Sequence, residues 1–285
     1  MSDEKEKKGF LHFLYKHRFL ILRRVSQVSI IALYIGGNIY GWSILKGNLS
    51  SSVLFDAIPL ADPFAVLQMF FAGAIVAADA LIGAVLILLF YALIGGRAFC
   101  SWVCPMNIVT DFANWLRVKT KIHREEWQLR LTRKTRYIAL ALALVLSFIL
   151  AMPAFEYVSP ISILHRGLIF GMGLGWTMVL TIFLFDLFVI KNGWCGHVCP
   201  LGGFYSLVTR PSLVRIDYNK DRCTECMECV KICPESQVLH MVGKHSSLVK
   251  SGECINCGRC VEVCNDDAIY FTLRFRKEEV SHEAK

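Results

Sequence analysis

Charge is scarce in this 285-residue chain. Asp, Glu, Lys and Arg make up 19% of it, and the acids are outnumbered 23 to 31. So little charge, with 55% hydrophobic residues and a mean hydropathy of +0.47, excludes a wholly water-soluble protein and places the apolar excess in membrane spans. There is no basic groove with interleaved aromatics. The positive residues bunch beside apolar runs, so the net charge of +8 reads as membrane topology and not as nucleic-acid binding. No small-residue cleavage site of the A-x-A kind follows the first apolar run, which is therefore expected to be a retained anchor. Nor is there a spare cysteine: all twelve fall into four motifs of metal or redox spacing. That excludes a secreted disulfide scaffold and puts the cysteine-rich carboxy-terminal part in a reducing compartment.

What is present follows a regular order. Residues 1–24 are basic, with Lys5, Lys7, Lys8, Lys16, Arg18, Arg23 and Arg24 outnumbering the acids. The run from Val25 to Leu45 is long enough to cross a bilayer, with Tyr40 and Trp42 as an interfacial belt. A sparsely charged loop, residues 46–62, leads to Pro63 and the stretch FAVLQMFFAG. That stretch is too short to cross and is expected at the outer interface or as a dip that returns. Further spans are expected at residues 74–95, 137–151 and 168–190. From Arg117 to Arg136 eight Lys and Arg face two Glu, which keeps this loop in the cytoplasm. The expected architecture is an all-α integral membrane four-helix bundle over residues 25–210, made of two repeated two-span units. A small α+β domain at 211–275 and a polar tail at 276–285 follow, with both termini cytoplasmic in a bacterial inner membrane.

The small domain carries CTECMECVKICP and then CINCGRCVEVCN, so that C-x-x-C-x-x-C-x-x-x-C occurs twice. At this spacing three neighbouring thiolates hold one iron-sulfur cube and the fourth reaches across to the other. The predicted ligand sets are Cys223, Cys226 and Cys229 with Cys264, and Cys254, Cys257 and Cys260 with Cys233, for two 4Fe-4S clusters. A zinc ribbon uses four ligands in two C-x-x-C pairs, which eight cysteines in this doubled pattern do not fit. The module resembles the bacterial dicluster ferredoxins. Asn265 stands where the motif prefers proline, a change in the turn after the last ligand that removes no ligand.

The membrane part repeats internally. Asp62-Pro63, Gly73, a span and GGRAFCSWVCP in the first half match Ser159-Pro160, Gly171, a span and KNGWCGHVCP in the second. Pro63 to Cys100 is 37 positions and Pro160 to Cys195 is 35. An axis along the membrane normal would relate two such units and gather Cys100, Cys104, Cys195 and Cys199 around one point at the cytoplasmic span ends. Within each pair a spacing of four puts both thiols on one helical face. Redox-active dithiols, a further metal centre and simple packing all remain open.

Four spans, two C-x-x-x-C-P motifs at matching span ends and a carboxy-terminal dicluster module resemble the NapH-type membrane subunit, a quinol dehydrogenase of the periplasmic nitrate reductase system. The strings GGRAFCSWVCPMNIVTDFANWLR and CGHVCPLGGFYSLV carry the likeness. It implies oxidation of quinol from the membrane pool and delivery of electrons to a NapG-type periplasmic iron-sulfur protein, and thence to periplasmic nitrate reductase. Relatives of the same core that act in metalloenzyme assembly imply an alternative, an iron-sulfur maturation factor. The large flavin domain of the nitrous-oxide relatives is not expected here, with 24 residues ahead of the first span.

A quinol gives up two electrons and two protons, so its site needs hydrogen-bond acceptors near the membrane. His165, Asp79 and Gln68 are the candidates, with Asp186 able instead to cap a helix end or pair with Lys191 or His197. The cytoplasmic clusters and a periplasmic partner are a bilayer apart, about 30 Å. Bound quinone or the thiol pairs would have to bridge that interval, and a cytoplasmic reductant is an alternative feed.

Overall fold

Runs of Leu, Ile, Val and Ala without prolines fold as helices whose apolar faces pack together, and Gly-Pro punctuation breaks them. The computed structural model describes residues 14–95, 97–120 and 132–275. Lys5, Lys7, Lys8, His12, His123, much of the basic central loop and the tail at 276–285 lie outside the described residues.

The first helix, α1, is Arg18–Ile39. It begins inside the basic segment because the Glu262 carboxylate accepts the Phe19 and Leu20 N–H groups at 2.6 and 3.0 Å. A distant acid thus supplies the acceptors that a helix start leaves wanting. The expected loop at 46–62 is instead an antiparallel meander, β1 Leu45–Gly47, β2 Ser51–Leu54 and β3 Ile58–Ala61. This corrects the all-α expectation. Asn48 Oδ1 accepts the Ser50 and Ser51 N–H groups to make one turn, and Phe55 and Asp56 adopt left-handed φ of 53° and 54° to make the other.

Helix α2, Pro63–Phe71, follows the meander. It packs one face inward, with Phe64, Ala65, Val66 and Gln68 buried, and leaves Phe70 and Phe71 exposed. Helix α3 is Ala78–Ile94, α4 Ala98–Trp102, α5 Met106–Lys119, α6 Thr135–Leu150, α7 Ala154–Val158 and α8 Pro160–Phe170. The span expected at 168–190 is two pieces. After α8, Gly171 takes a φ of 97°, and α9, Gly175–Leu184, continues as a π-helical turn over Phe185–Val189. A second π turn, Trp194–Val198, precedes α10, Pro200–Val208.

The repeat persists at this level. Asp62 and Ser159 each cap a helix whose first residue is proline, accepting the N–H of Phe64 at 3.1 Å and of Ser162 at 3.5 Å. Glycines of positive φ, Gly73 and Gly171, end both helices, and an apolar helix follows each.

Among the described helices only α1, with 22 residues and a mean hydropathy of 1.5, is long and apolar enough to cross a membrane alone. The apolar helices α3, α6, α8 and α9 with its π turn are shorter. Their outward faces are apolar all the same: Leu86, Leu89 and Leu93 of α3 and Leu142, Val145 and Ile149 of α6 are exposed.

The carboxy-terminal domain is α+β. Strand β4, Val214–Tyr218, pairs antiparallel with β5, Ser247–Leu248, and with β6, Ile269–Leu273. The short helices α11, Glu228–Ile232, and α12, Arg259–Val263, pack on each other beside this sheet.

Candidate functional site

Both C-x-x-C-x-x-C loops wind the same way. The residues on either side of the second cysteine are left-handed in each: Glu225 and Met227 at φ 58° and 59°, Asn256 and Gly258 at 48° and 75°. That winding turns successive thiols to one side, after which α11 and α12 carry the third cysteine and hand the fourth to the other loop. Cys229 accordingly lies in the field of Cys264, Cys223 and Cys226. Cys260 lies in that of Cys257, Cys254 and Cys233. Thiols of both loops thus act on one another, Cys229 on Cys260 among them.

Among the described residues no three His, Cys, Asp or Glu side chains close on a point tightly enough to hold one metal ion. A four-iron cube holds its thiolate ligands further apart than a single ion does. An all-thiol donor set and the Glu225 N–H donating to Cys223 Sγ at 3.3 Å fit such a cube. The two groups differ in access: Cys226 is exposed, while Cys257 and Cys260 are buried.

The C-x-x-x-C-P cysteines are not on the ends of the long helices, as their spacing suggested, but on separate short turns. Gly95 stops α3 with a φ of 152°, and there a Cβ would come within 2.4 Å of Asn256 Nδ2 and 2.8 Å of the Val214 carbonyl. The break lets the carboxy-terminal domain approach. Cys100 then sits on α4 and Cys104 just beyond it; Cys195 sits on the second π turn, with Cys199 next after that turn. Asp186 takes the capping role, accepting the Trp194 N–H at 2.9 Å and so fixing the turn that carries Cys195.

The four thiols share one field. Cys104 is acted on by Cys100 and Cys199, and Cys195 by Cys104, Cys199 and Cys100. Burial pushes the Cys104 and Cys195 thiols well up and that of Cys199 up to about 11, so as free thiols all three stay protonated at neutral pH. The Arg97 guanidinium faces this group, and its charge acts against the rise at Cys199.

Sequence reasoning treated the arginines as topology markers and missed their structural work. Arg97 is buried and reaches two ways: Nη1 donates to Glu235 Oε1 at 2.6 Å, and Nη2 donates to the Cys195 carbonyl at 2.9 Å. Glu235 follows Cys233-Pro234 of the ferredoxin motif, and it also receives Arg133 at 2.7 Å and Arg136 at 3.1 Å. Burial alone would raise the Glu235 carboxyl, but Arg97, Arg136 and Arg133 outweigh it and hold it below its ordinary value. Further bonds join the same surfaces. The Arg97 N–H donates to the Cys254 carbonyl at 2.9 Å, Ser101 Oγ to that of Ile255 at 2.6 Å, and Trp102 Nε1 to that of Asn256 at 3.1 Å. Helix α4 therefore grips the backbone of the second C-x-x-C loop directly. A second knot, in which Arg23, Arg24 and Arg259 surround Asp111, ties α1 and α5 to the Cys257-Gly258-Arg259-Cys260 turn. The signal available in sequence was an arginine or acid directly beside a cysteine motif, at Arg97, Glu235, Glu253 and Arg259.

The three quinol candidates are not brought together. Asp79 lies exposed in the first turn of α3. Gln68 is buried and accepts the Phe155 N–H at 2.9 Å, a packing bond between α2 and α7. His165 is buried edge-on to Tyr34 at 4.7 Å, and among the described residues neither ring nitrogen has a hydrogen-bond partner.

The 4Fe-4S binding domain family matches the chain twice, at residues 76–123 and 171–219, and the 4Fe-4S dicluster domain family matches residues 215–265. Each of the first two segments contains one C-x-x-x-C-P motif. The chain is 45% identical to the methylamine utilization ferredoxin-type protein MauN of Methylorubrum extorquens, over 92% of each chain. It is 43% identical to the ferredoxin-type protein NapH of Haemophilus influenzae, over 96% of this chain and 95% of that one. With NapH of Escherichia coli it shares 40%, over 95% and 93%. No solved structure matches.

Proposed function

The chain belongs to the family of ferredoxin-type proteins that includes NapH and MauN, and on that premise we propose that it takes electrons from membrane quinol and passes them through iron-sulfur centres toward a periplasmic reductase. It is an iron-sulfur electron-transfer protein, and what is proposed is its place in a circuit. Cys223, Cys226, Cys229 and Cys264 hold one 4Fe-4S cluster, and Cys254, Cys257, Cys260 and Cys233 the other. Cys100, Cys104, Cys195 and Cys199 hold a further metal centre. The clusters, when bound, supply one-electron steps.

The observation that carries the reading is the contact between α4 and the Cys254 loop. Arg97 touches the backbone of Cys195 and Cys254 at once, so the four-thiol group adjoins the buried ferredoxin ligand set. The exposed Cys226 set is the one open to solvent. The residues form a chain of redox ligands from the helical interior to a wet surface.

Insertion in the membrane is part of the proposal. Exposed Leu and Ile on α3 and α6 would be costly in water and are at home in lipid. Arg18, Arg23, Arg24, Arg117 and Arg133 all lie toward the ferredoxin end, which fits a cytoplasmic location for that end and for both termini. The outlet named by the resemblance is a NapG-type iron-sulfur protein and periplasmic nitrate reductase. The MauN relatives, named for methylamine utilization, favour a second outlet in that system.

The test is anaerobic isolation of the full chain, with iron and sulfide counted, followed by mixing with menadiol while cluster absorbance is followed. Bleaching, with more than the eight irons of two cubes, is expected. Cys104→Ser should slow the bleaching at least tenfold and lower the iron content to that of the ferredoxin alone. A chain with full iron that menadiol never reduces would instead be a maturation factor.

A further inference from the structure

A partly open cavity of about 220 Å³ is bordered by α1, the β-meander, α3, α4, α7, α8 and α10. It exceeds a single water's share of liquid volume, about 30 Å³, several-fold, and so has room for an aromatic ring. Most of its lining is apolar; Tyr34, Ser52, Asp62, Glu156 and Ser162 line the meander end, and the Tyr91 and Tyr205 rings, packed on Phe99, line the other. The Glu156 carboxylate accepts from Ser50, from Ser162 at 2.8 Å and from Arg166 at 3.2 Å. At the opposite end the wall is Phe99, Val103 and Leu201, neighbours in sequence of Cys100, Cys104 and Cys199. One end of the cavity thus offers acceptors for protons, and the other abuts the thiol group.

A second, open space of about 590 Å³ runs between α1 and α3 toward the carboxy-terminal domain, lined by Ser26, Phe90, Ile94, Trp102 and Phe271 among others. The two spaces share Ile30, Tyr91 and Val103 as lining, so they adjoin at these side chains. The outer groove is apolar and opens on the face where the α3 leucines are exposed.

We propose that the inner cavity binds the headgroup of a lipid-soluble quinol, a ring bearing two para hydroxyls, and that its isoprenoid tail leaves through the groove between α1 and α3. This rests on the quinol-linked reading above and gives that reading a site. A headgroup alone fills the cavity, and the tail needs an apolar exit to lipid, which the groove supplies. Oxidation breaks both O–H bonds. One proton passes to the Asp62 carboxylate and the other to Glu156, and the iron-sulfur centres, when bound, would take up the two electrons one at a time. Burial, with the nearby Glu156 charge adding to it, pushes the Asp62 carboxyl up to about 7, which suits a group that must take up and release a proton near neutrality. His165, behind Tyr34, lies outside the cavity wall and serves as packing.

The test uses the full chain in lipid nanodiscs, with decylubiquinone and the tail-less menadione as probes and bound iron as the control for folding. Both probes are expected to bind once per chain. Glu156→Gln, close to isosteric, should keep the iron and lower the rate of menadiol oxidation at least tenfold. Ile94→Trp, in the groove, should weaken decylubiquinone at least tenfold and leave menadione unchanged. If Glu156→Gln and Asp62→Asn with full iron both oxidise menadiol at the parent rate, the cavity is not the site, and the quinol reading survives. If the parent protein with full iron neither binds either probe nor oxidises the corresponding quinols, the quinol reading itself falls.

Discussion

Glu235 and the three guanidiniums around it show what single residues do here. A buried carboxylate satisfied by Arg97, Arg133 and Arg136 contributes little net stability, because desolvation consumes most of the attraction. Breaking such a cluster is different, since it strands buried charges without a partner. Glu235→Ala is therefore expected to cost about 3 to 5 kcal/mol, read as a fall in the temperature at which cluster absorbance is lost. A loss under about 1 kcal/mol would mean that water already reaches the three arginines. The cysteines were legible as ligands because their spacing is set by the size of the object they hold. The arginines were not, because in sequence a cation that marks a membrane edge and one that clamps two domains look alike.

At the scale of elements, the decisive features are where helices start and stop. Helix α1 begins at Arg18 because Glu262, from the far end of the chain, accepts its first N–H groups. Glu262→Ala should cost about 1 kcal/mol and speed amide exchange at Phe19 and Leu20 while leaving the middle of α1 unchanged. Equal exchange in both proteins would show that solvent caps the helix equally well. Helix α3 stops at Gly95 so that the Cys254 loop can come close, and α9 passes into a π turn where Asp186 bends back to hold Trp194. The meander over residues 45–61 escaped the sequence reading because its strands are three or four residues long, too short for an alternating pattern to declare itself. The inward face of helix α2 was not legible for a related reason: nine residues are too few to declare which side is buried.

At the scale of the whole molecule, the ferredoxin domain is no tethered appendage. Through α4, Arg97, Arg136 and the Asp111 knot it is bound to the helical part beside the short turns that carry the four extra thiols. Electron transfer benefits from such fixity, because distances between redox ligands are held without any motion. The proposed orientation predicts that a reporter enzyme fused after Lys285 is active only in the cytoplasm and one inserted at Asp56, in the exposed turn of the meander, only outside. The reverse pattern would overturn the topology and with it the direction of current.

By itself the sequence determined the cofactor class and the doubled plan, since cysteine spacing and apolar run length are local quantities fixed by the size of a metal cluster and the pitch of a helix. Only the tertiary structure decided what the ferredoxin docks on, which charges are buried in that contact, and where a cavity lies near the C-x-x-x-C-P turns. Those depend on residues a hundred or more positions apart meeting face to face, as Arg97 meets Glu235 and Ser50 meets Glu156, and no local pattern encodes such a meeting.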